Sequence, residues 1–189
     1  MIVLVAFAVG LVTAGIFLIG VVITISDAGP RLWPHGERDW TYWVHYLGWG
    51  VHVPAFVLTV FLDAGSFFTP GPLAVGVGLF LIATGLVVAV AAIAQLGLAT
   101  STGIPGELYT NGLYRYSRNP QTVGLVTAIA GAFIATGSMY VLILGGLDAL
   151  VLLLAAIAEE SWLEDQYGNS YEVYRDQTPR FIGLLIQNG

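Results

Sequence analysis

The chain has 189 residues, enough for a single domain, and 57% are hydrophobic while only 10% are charged, which is too apolar for a soluble protein of this size. The absence of cysteine excludes disulfides, thiolate metal sites and cysteine nucleophiles. The net charge of −6, with no lysine, leaves no basic face for nucleic acid and no polybasic lipid-binding patch.

This composition predicts an integral membrane protein, and three apolar runs in the first half of the chain are long enough to be spans. They are residues 2–25, 44–62 and 73–99, and a hydrocarbon core about 30 Å thick requires roughly 20 apolar residues per helix. The first run is too long for the apolar region of a signal peptide, and it lacks a basic segment before it and a small-x-small cleavage site after it. We therefore expect it to be retained as the first span.

A fourth and a fifth span are predicted over residues 121–158, which contain a single charge, Asp148. This length suits a tight hairpin of two helices, with a turn either at Gly137-Ser138 or at Gly145-Gly146. The first turn divides the segment more evenly, so we prefer it, with a short fourth span and a fifth span over residues 139–158. Asp148 would then lie inside a span, where an ionisable residue is costly and usually functional. With the second turn it would only cap a helix, and we leave it outside the predicted site.

All arginines fall on one side of the membrane in this five-span arrangement, after the first, the third or the fifth span. They are Arg31, Arg38, Arg115, Arg118, Arg175 and Arg180. The connection after the second span, residues 63–72, has no basic residue. The positive-inside rule then predicts an N-terminus outside the cell and a C-terminus in the cytoplasm. The five tryptophans lie in or near the same connections, as an interfacial belt would.

Small residues recur at every fourth position along the predicted fourth span. They are Gly124, Ala128, Ala132 and Thr136. Such a stripe lets another backbone approach closely, so we interpret it as a packing surface. Spans one, three and four are nearly bare of polar residues and no internal repeat is evident, which argues against a transporter or a channel.

The three histidines do not predict a metal site. His45 and His52 lie seven positions apart on one predicted helix, about 10 Å along its axis, which is too far to share one metal ion. We expect them to line a helix interface or to meet water, and His35 lies in a predicted loop. With no cysteine and no second cluster of ligands, we predict no metal.

Two polar segments flank the predicted hairpin. Before it the chain reads GLYRYSRNPQ, in which Pro120 disfavours helix at Asn119 and opens the fourth span, whose free N–H groups would attract an anion. After it come Glu159 and Glu160, followed by residues at helical spacing that predict an interfacial helix. Those residues are Trp162, Leu163, Tyr167, Tyr171 and Tyr174. The predicted fold is an all-α membrane protein with five transmembrane helices, a C-terminal helical hairpin and an interfacial C-terminal helix.

The two segments are predicted to meet, because a hairpin brings one end of each of its helices together. Arg115, Arg118 and Asn119 would then share one membrane face with the two glutamates, which otherwise only end a span in water. The result would be a half-buried pocket that holds both signs of charge and opens to the cytosol. It suits a zwitterionic cofactor, with its carboxylate held by arginine and the helix start, its ammonium by the glutamates, and its flat base by Tyr114 or the apolar walls.

These residues also resemble a known family. GLYRYSRNPQTVG, followed after the hairpin by EESWLEDQYGNSYEVYRDQTPRF, is similar to the isoprenylcysteine carboxyl methyltransferase superfamily, whose relatives include the phospholipid N-methyltransferases. The paired signature of that family is G-x-Y-x-x-x-R-H-P-x-Y-x-G, then a helical hairpin, then E-E-x-x-L-x-x-x-F-G-x-x-Y-x-x-Y with a later Pro or Arg-Phe. The resemblance covers residues 95–182, some half of the chain.

The resemblance implies S-adenosylmethionine bound by residues 96–182 and methyl transfer to a lipophilic small molecule or a lipid at the cytoplasmic face. Residues 1–95 would supply spans one to three of the same domain, 1–189. The predicted catalytic residues are Arg118, Glu159 and Glu160, the two glutamates bordering cofactor and acceptor. The positions that correspond to cofactor contacts in the family are Leu108, Tyr109, Tyr114, Asn119, Pro120, Gln121 and Thr122.

Three positions depart from the family pattern. Asn119 replaces the usual His and cannot become charged or act as a base near neutral pH, and Thr122 replaces a Tyr. Ala155 stands where the prenylcysteine enzymes place an Arg that meets the substrate carboxylate. The acceptor is left open among carboxylate, thiol and amine. The alternative function is a catalytically degenerate protein of the same fold that serves as a binding or interaction partner.

Overall fold

The computed structural model describes residues 1–182, and within that range the regular structure is entirely helical. In chain order the helices are α1 (Ile2–Ile25), α2 (Trp40–Leu62), α3 (Pro72–Leu96), α4 (Leu98–Ser101), a short 3₁₀ helix (Gly112–Arg115), α5 (Pro120–Thr136), α6 (Met139–Tyr167) and α7 (Asn169–Gln177). The prediction of an all-α membrane protein is confirmed.

Four of these helices, α1, α2, α3 and α6, are long and apolar enough to cross a membrane. Helix α5 is apolar but has 17 residues, so it measures about 26 Å at the helical rise per residue. This is shorter than a hydrocarbon core of about 30 Å. The expectation of a short fourth span agrees with this length.

The boundaries of two early spans differ from those predicted. Helix α2 begins at Trp40, four residues before the apolar run, because the Asp39 carboxylate accepts a hydrogen bond from the Tyr42 N–H at 3.0 Å and caps the helix. Helix α3 ends at Leu96 because Gly97 has a φ of +86°, outside helical geometry. The next turn, predicted as part of the span, is the separate helix α4.

The hairpin turns at Gly137-Ser138, as preferred from the sequence. Gly137 ends α5 in the left-handed conformation, with a φ of +58°. Ser138 caps α6 by accepting a hydrogen bond from the Val141 N–H at 3.0 Å. Asp148 therefore lies inside α6, where it is buried, and is not a helix cap.

The aromatic series after the hairpin is divided between two helices. Helix α6 continues past residue 158 to Tyr167, and Gly168, at a φ of +52°, then redirects the chain into α7. Trp162 thus belongs to the long helix, whereas Tyr171 and Tyr174 lie on the short one. Helix α7 is the predicted C-terminal helix.

Helices α3 and α5 pack with their backbones in close approach, as the predicted stripe indicated at Gly124 and Ala128, whereas Gly131, outside that stripe, supplies the second level. A Cβ atom on Gly124 would lie 2.5 Å from the carbonyl oxygen of Gly85, and one on Gly131 would lie 2.6 Å from that of Gly78. Glycines at two levels, two turns apart, therefore set the distance between these helices. On the other side of the bundle, α1 packs against α2 and α6.

The arginine-bearing connections meet at one end of the bundle, which we call the arginine end. There the Gly36 N–H donates to the Gly103 carbonyl at 2.9 Å, and the Tyr167 hydroxyl donates to the Gly106 carbonyl at 2.8 Å. At the opposite end, the Gly65 N–H donates to the carbonyl of Thr136 at 2.7 Å. The structure thus segregates the six arginines as the five-span prediction requires.

Candidate functional site

A cavity of about 400 Å³ opens at the arginine end, between the helical hairpin and the first two helices. Its lining comes from helices α1 to α7 and from the α1–α2 and α4–α5 connections, the second of which contains the 3₁₀ helix. The volume lies within the range of roughly 300–1,000 Å³ that is usual for small-molecule and cofactor sites.

Most of the predicted cofactor contacts line this cavity. They are Leu108, Tyr109, Tyr114, Asn119, Gln121 and Thr122. Pro120 does not line it; this residue is buried and forms the first position of α5. Because a helix has no internal acceptors for its first N–H groups and α5 has no side-chain cap, the start of α5 leaves donors free beside the cavity.

Tyr114 and Gln121 are fixed by hydrogen bonds to their surroundings. The Gln121 side-chain amide donates to the Tyr114 hydroxyl at 3.0 Å and to the Ser101 hydroxyl at 2.9 Å. The Tyr174 hydroxyl donates to the Tyr114 carbonyl at 2.6 Å. Burial raises the pKa of Tyr114 to about 12, so its hydroxyl remains neutral at physiological pH. These contacts give this side of the cavity a defined shape.

Arg118 and Glu160 meet across the hairpin, which the sequence predicted. Arg118 Nη1 lies 2.5 Å from Glu160 Oε1, and it donates a second hydrogen bond to the Tyr171 hydroxyl at 3.1 Å. Arg180 holds the same carboxylate with Nε at 2.7 Å and Nη2 at 2.5 Å. Two arginines therefore share one glutamate, and the cluster carries a net positive charge.

The adjacent glutamates have different surroundings. Glu159 lines the cavity, and within residues 1–182 its carboxylate makes no hydrogen bond or ion pair. Glu160 is turned toward the two arginines and does not line the cavity. Successive residues of an α-helix point about 100° apart, which explains why two neighbours in sequence face different groups.

The segment after α7 is tied to the start of α5. The Arg118 N–H donates to the Pro179 carbonyl at 2.9 Å, and the Asn119 side-chain amide donates to the Arg180 carbonyl at 3.0 Å. Sequence reasoning used Arg180 only to orient the spans and missed its contact with Glu160. Its position in the Arg-Phe pair near the end of the family signature was the available signal.

The first two helices contribute an aromatic wall, which we define as Phe17, Trp33, His45 and Trp49. Phe17 and Trp49 stack with ring centroids 5.0 Å apart, and Trp33 stacks on His45 at 5.5 Å. The Trp49 indole N–H donates to His45 Nε2 at 2.9 Å. All four residues line the cavity. The sequence analysis missed this wall because it attributed the tryptophans to an interfacial belt.

The histidines occupy separate places. His45 lies in the aromatic wall, while His52 is buried where α1, α2 and α6 meet, as the expectation of a helix interface allowed. In the described part of the chain, no three His, Asp or Glu side chains converge as the ligands of a metal ion would.

Comparison with known proteins gives one match. A family model described as phospholipid methyltransferase matches residues 73–170, just over half of the 189 residues. The matched range contains α3, α5 and α6 and therefore both sides of the Arg118–Glu160 contact. No curated protein and no solved structure matches the chain.

Proposed function

The chain belongs to the phospholipid methyltransferase family, and on that premise we propose that it transfers a methyl group from S-adenosylmethionine to a lipophilic acceptor at a membrane face. The observation that carries the proposal is the cavity at the arginine end, where Arg118, the Glu159 carboxylate and the start of α5 converge. A phospholipid is the acceptor class that the family description favours. The acceptor chemistry stays open among amine, thiol and carboxylate.

The donor set of the cavity fits a zwitterionic cofactor. Arg118 Nε is buried and has no hydrogen-bond partner within the described residues, and the N–H groups at the start of α5 lie beside it, so both suit a carboxylate. Within residues 1–182 the Glu159 carboxylate has no hydrogen-bond or ion-pair partner, and it suits an ammonium group. Tyr109 and Tyr114 supply aromatic surface for a flat base.

S-adenosylmethionine, when bound, supplies a methyl group already activated on a sulfonium. The protein then has to align the acceptor with that group and exclude water. Arg118 can hold the cofactor carboxylate in a fixed position because Glu160 and Tyr171 hold its guanidinium in place. We assign Glu160 to this positioning role, within the catalytic set that the sequence predicted.

Glu159 is the glutamate that faces the cavity, where the methyl transfer would take place. With an amine acceptor, Glu159 takes the proton that the nitrogen loses as the new carbon–nitrogen bond forms. A carboxylate or thiolate acceptor needs no base, and Glu159 then only holds the cofactor ammonium. Residues 96–182 would carry the cofactor, and residues 1–95 would supply the wall against which the acceptor lies, in one domain.

The arginine end is proposed to face the cytoplasm, with the N-terminus outside. All six arginines lie at that end, and the opposite connections have none. The lipophilic acceptor would then enter from the inner leaflet.

One observation favours the alternative of a binding protein without chemistry. The Asn119 amide, at the position where the family usually has His, is engaged by the Arg180 carbonyl and offers no base. Titration of the purified protein with S-adenosylmethionine separates the two functions. We expect saturable binding that Arg118→Ala abolishes and Arg115→Ala, at an exposed position, preserves. No saturable binding to the wild type would favour the degenerate protein.

The activity is tested with membranes that contain the protein and S-adenosylmethionine carrying a radiolabelled methyl group. We expect label in the lipid extract, and separation of that extract identifies the acceptor. Label that stays in the aqueous phase, together with unlabelled lipids, would contradict the proposal.

A further inference from the structure

Three polar side chains from three different helices meet in the apolar interior of the bundle. His52 on α2 is 2% exposed and Asp148 on α6 is 6% exposed. His52 Nε2 lies 3.1 Å from both carboxylate oxygens of Asp148, and His52 Nδ1 lies 2.7 Å from the hydroxyl of Thr13 on α1. We call Thr13, His52 and Asp148 the buried triad.

The hydrogen-bond pattern indicates where the protons lie. The Thr13 hydroxyl lies 2.9 Å from the Val9 carbonyl and 3.0 Å from the Gly10 carbonyl, and when it donates to either of them its oxygen accepts from His52 Nδ1–H. A proton must then lie between His52 Nε2 and Asp148, because two acceptors cannot bond to each other. The pair as a whole is neutral in either arrangement of that proton, as an apolar interior requires.

The buried triad lies one helical turn below the inner end of the cavity. Phe17 follows Thr13 by one turn on α1, and Trp49 precedes His52 by about one turn on α2. On α6, Val151 and Leu152 follow Asp148 by one turn, and both line the cavity. The His52 ring lies 5.5 Å from the Trp49 ring and 6.0 Å from the Phe17 ring, measured between centroids.

The triad is separate from the packing that joins α1 to α6 at the other end of the bundle. There Phe7 stacks on Tyr140 with ring centroids 4.2 Å apart, and Leu144 lies directly against Gly10. Those contacts join α1 to α6 and do not involve Asp148. What the triad adds is a directional contact one turn below the cavity, which sets how α1 and α2 are rotated against α6.

We propose that the buried triad is a positioning element that holds the aromatic wall against α6 and so shapes the acceptor side of the cavity. Thr13, His52 and Asp148 do not line the cavity and are not catalytic residues. The geometry of the triad is independent of the proposed function. Its expected consequence, an effect on acceptor binding, rests on that function. Removing the hydrogen bond at position 148 should therefore impair acceptor binding and leave cofactor binding intact.

The activity arm of the test uses vesicles of an aminophospholipid and S-adenosylmethionine with a radiolabelled methyl group. Asp148→Leu is expected to raise the KM for the vesicle lipid about tenfold, because a small displacement of a substrate-positioning wall is costly, with an unchanged Kd for S-adenosylmethionine. Asp148→Asn can still donate a hydrogen to His52 Nε2 and should restore the KM. Thr13→Val should raise the KM, whereas its matched control Thr84→Val, which loses only hydrogen bonds to the Phe80 and Leu81 carbonyls within α3, should not.

A second arm measures the geometry without any turnover. The chain has no cysteine, so spin labels can be placed at two exposed positions, Ile16 on α1 and Leu150 on α6. We expect Asp148→Leu to widen the distribution of distances between the labels and Asp148→Asn to leave it as in the wild type. If Asp148→Leu does not fold, the double variant Asp148→Leu with His52→Phe, which replaces both polar side chains by apolar ones, is used instead.

The outcomes are separable. A wild-type KM and distance distribution in Asp148→Leu would overturn the inference, as would a loss of cofactor affinity equal to the loss of acceptor affinity. Asp148→Asn behaving like Asp148→Leu would also overturn it, because the hydrogen bond would then not be the positioning contact. If the wild type transfers no methyl group to the aminophospholipid, that acceptor is excluded, and the spin-label distances alone decide the inference.

Discussion

At the scale of single residues, the contrast between Glu159 and Glu160 shows how a site acquires two different carboxylates from one dipeptide. Glu160 forms ion pairs with two guanidinium groups, whereas the Glu159 carboxylate faces the cavity. Removing one partner of a partly buried ion pair leaves the others uncompensated. The consequences of substitution therefore extend from Glu160 to Arg118.

Glu160→Gln is predicted to abolish methyl transfer while leaving the five-span fold intact. Without the carboxylate, Arg118 and Arg180 repel each other and Arg118 leaves its position, which is expected to lower the rate about 100-fold or more. The measurement is methyl transfer at saturating donor, with circular dichroism to verify the helices. Glu164→Gln is the matched control, since it breaks only the half-exposed Arg175–Glu164 pair. Equal rates for the two variants would refute the role of Glu160.

At the scale of helices, glycine contacts and the Asp63 carboxylate determine the position of the hairpin in the bundle. The α3–α5 contact depends on glycines that face backbone atoms directly. The turn between α5 and α6 is held from the preceding connection, since Asp63 accepts hydrogen bonds from Ser138 Oγ at 2.6 Å and from the Tyr140 N–H at 3.1 Å. Both devices act at a distance from the cavity, yet they orient the two helices that carry Arg118 and Glu160.

Gly124→Ala is predicted to destabilise the protein by about 1–3 kcal/mol, the usual cost of overpacking a tight contact. The new Cβ would lie 2.5 Å from the Gly85 carbonyl oxygen, so the helices must separate. Thermal unfolding in detergent measures the effect. Gly146→Ala, on α6, is the control, because no atom lies within 4 Å of its new Cβ. An unfolding temperature equal to that of the control would contradict the packing argument.

The hairpin turn is predicted to lose stability in acid. Partial burial raises the pKa of Asp63, but hydrogen bonds from Ser138, Ser66 and the Tyr140 N–H outweigh it, so the pKa lies below its usual value. A lowered pKa in the folded state contributes stability above the unfolded pKa of about 3.9, and this contribution is lost as the pH falls through the lower, folded-state value.

Asp63→Asn tests this argument. The variant should be less stable than the wild type near neutral pH, and the difference in unfolding temperature should shrink as the pH falls below the ordinary aspartate range. Glu37→Gln, an exposed substitution outside the turn, should show no such pH-dependent difference. A constant gap between Asp63→Asn and the wild type across pH would disprove the ionic contribution.

At the scale of the whole molecule, the cavity belongs to both halves of the chain. The family match covers the hairpin and α3, but the aromatic wall comes from α1, α2 and their connection, outside residues 73–170. Cofactor-type contacts are thus concentrated on one side and aromatic surface on the other. The aromatic wall therefore lies outside the part of the chain to which the family description applies.

The orientation of the bundle in the membrane is predicted to place the arginine end in the cytoplasm. Because the chain has no cysteine, single cysteines at the exposed positions Glu37 and Thr69 report on opposite ends. An impermeant maleimide should label Thr69→Cys in intact cells and Glu37→Cys only after lysis. The reverse pattern would show that the arginine end faces outward.

The spans, the hairpin turn at Gly137-Ser138 and the meeting of Arg118 with Glu160 were all predictable from sequence. Each depends on local information: hydropathy along a run, a glycine before a capping serine, and motifs at the two ends of one hairpin. The family signature located one side of the cavity for the same reason.

Only the tertiary structure decided which glutamate faces the cavity, that Trp33 and Trp49 line it, and that Thr13, His52 and Asp148 meet. These facts depend on the rotation of each helix about its axis and on contacts between helices that are far apart in the chain. For membrane-spanning helices, hydropathy does not predict that rotation, because nearly every face of these helices is equally apolar. Packing of small residues and a few buried hydrogen bonds determine it instead.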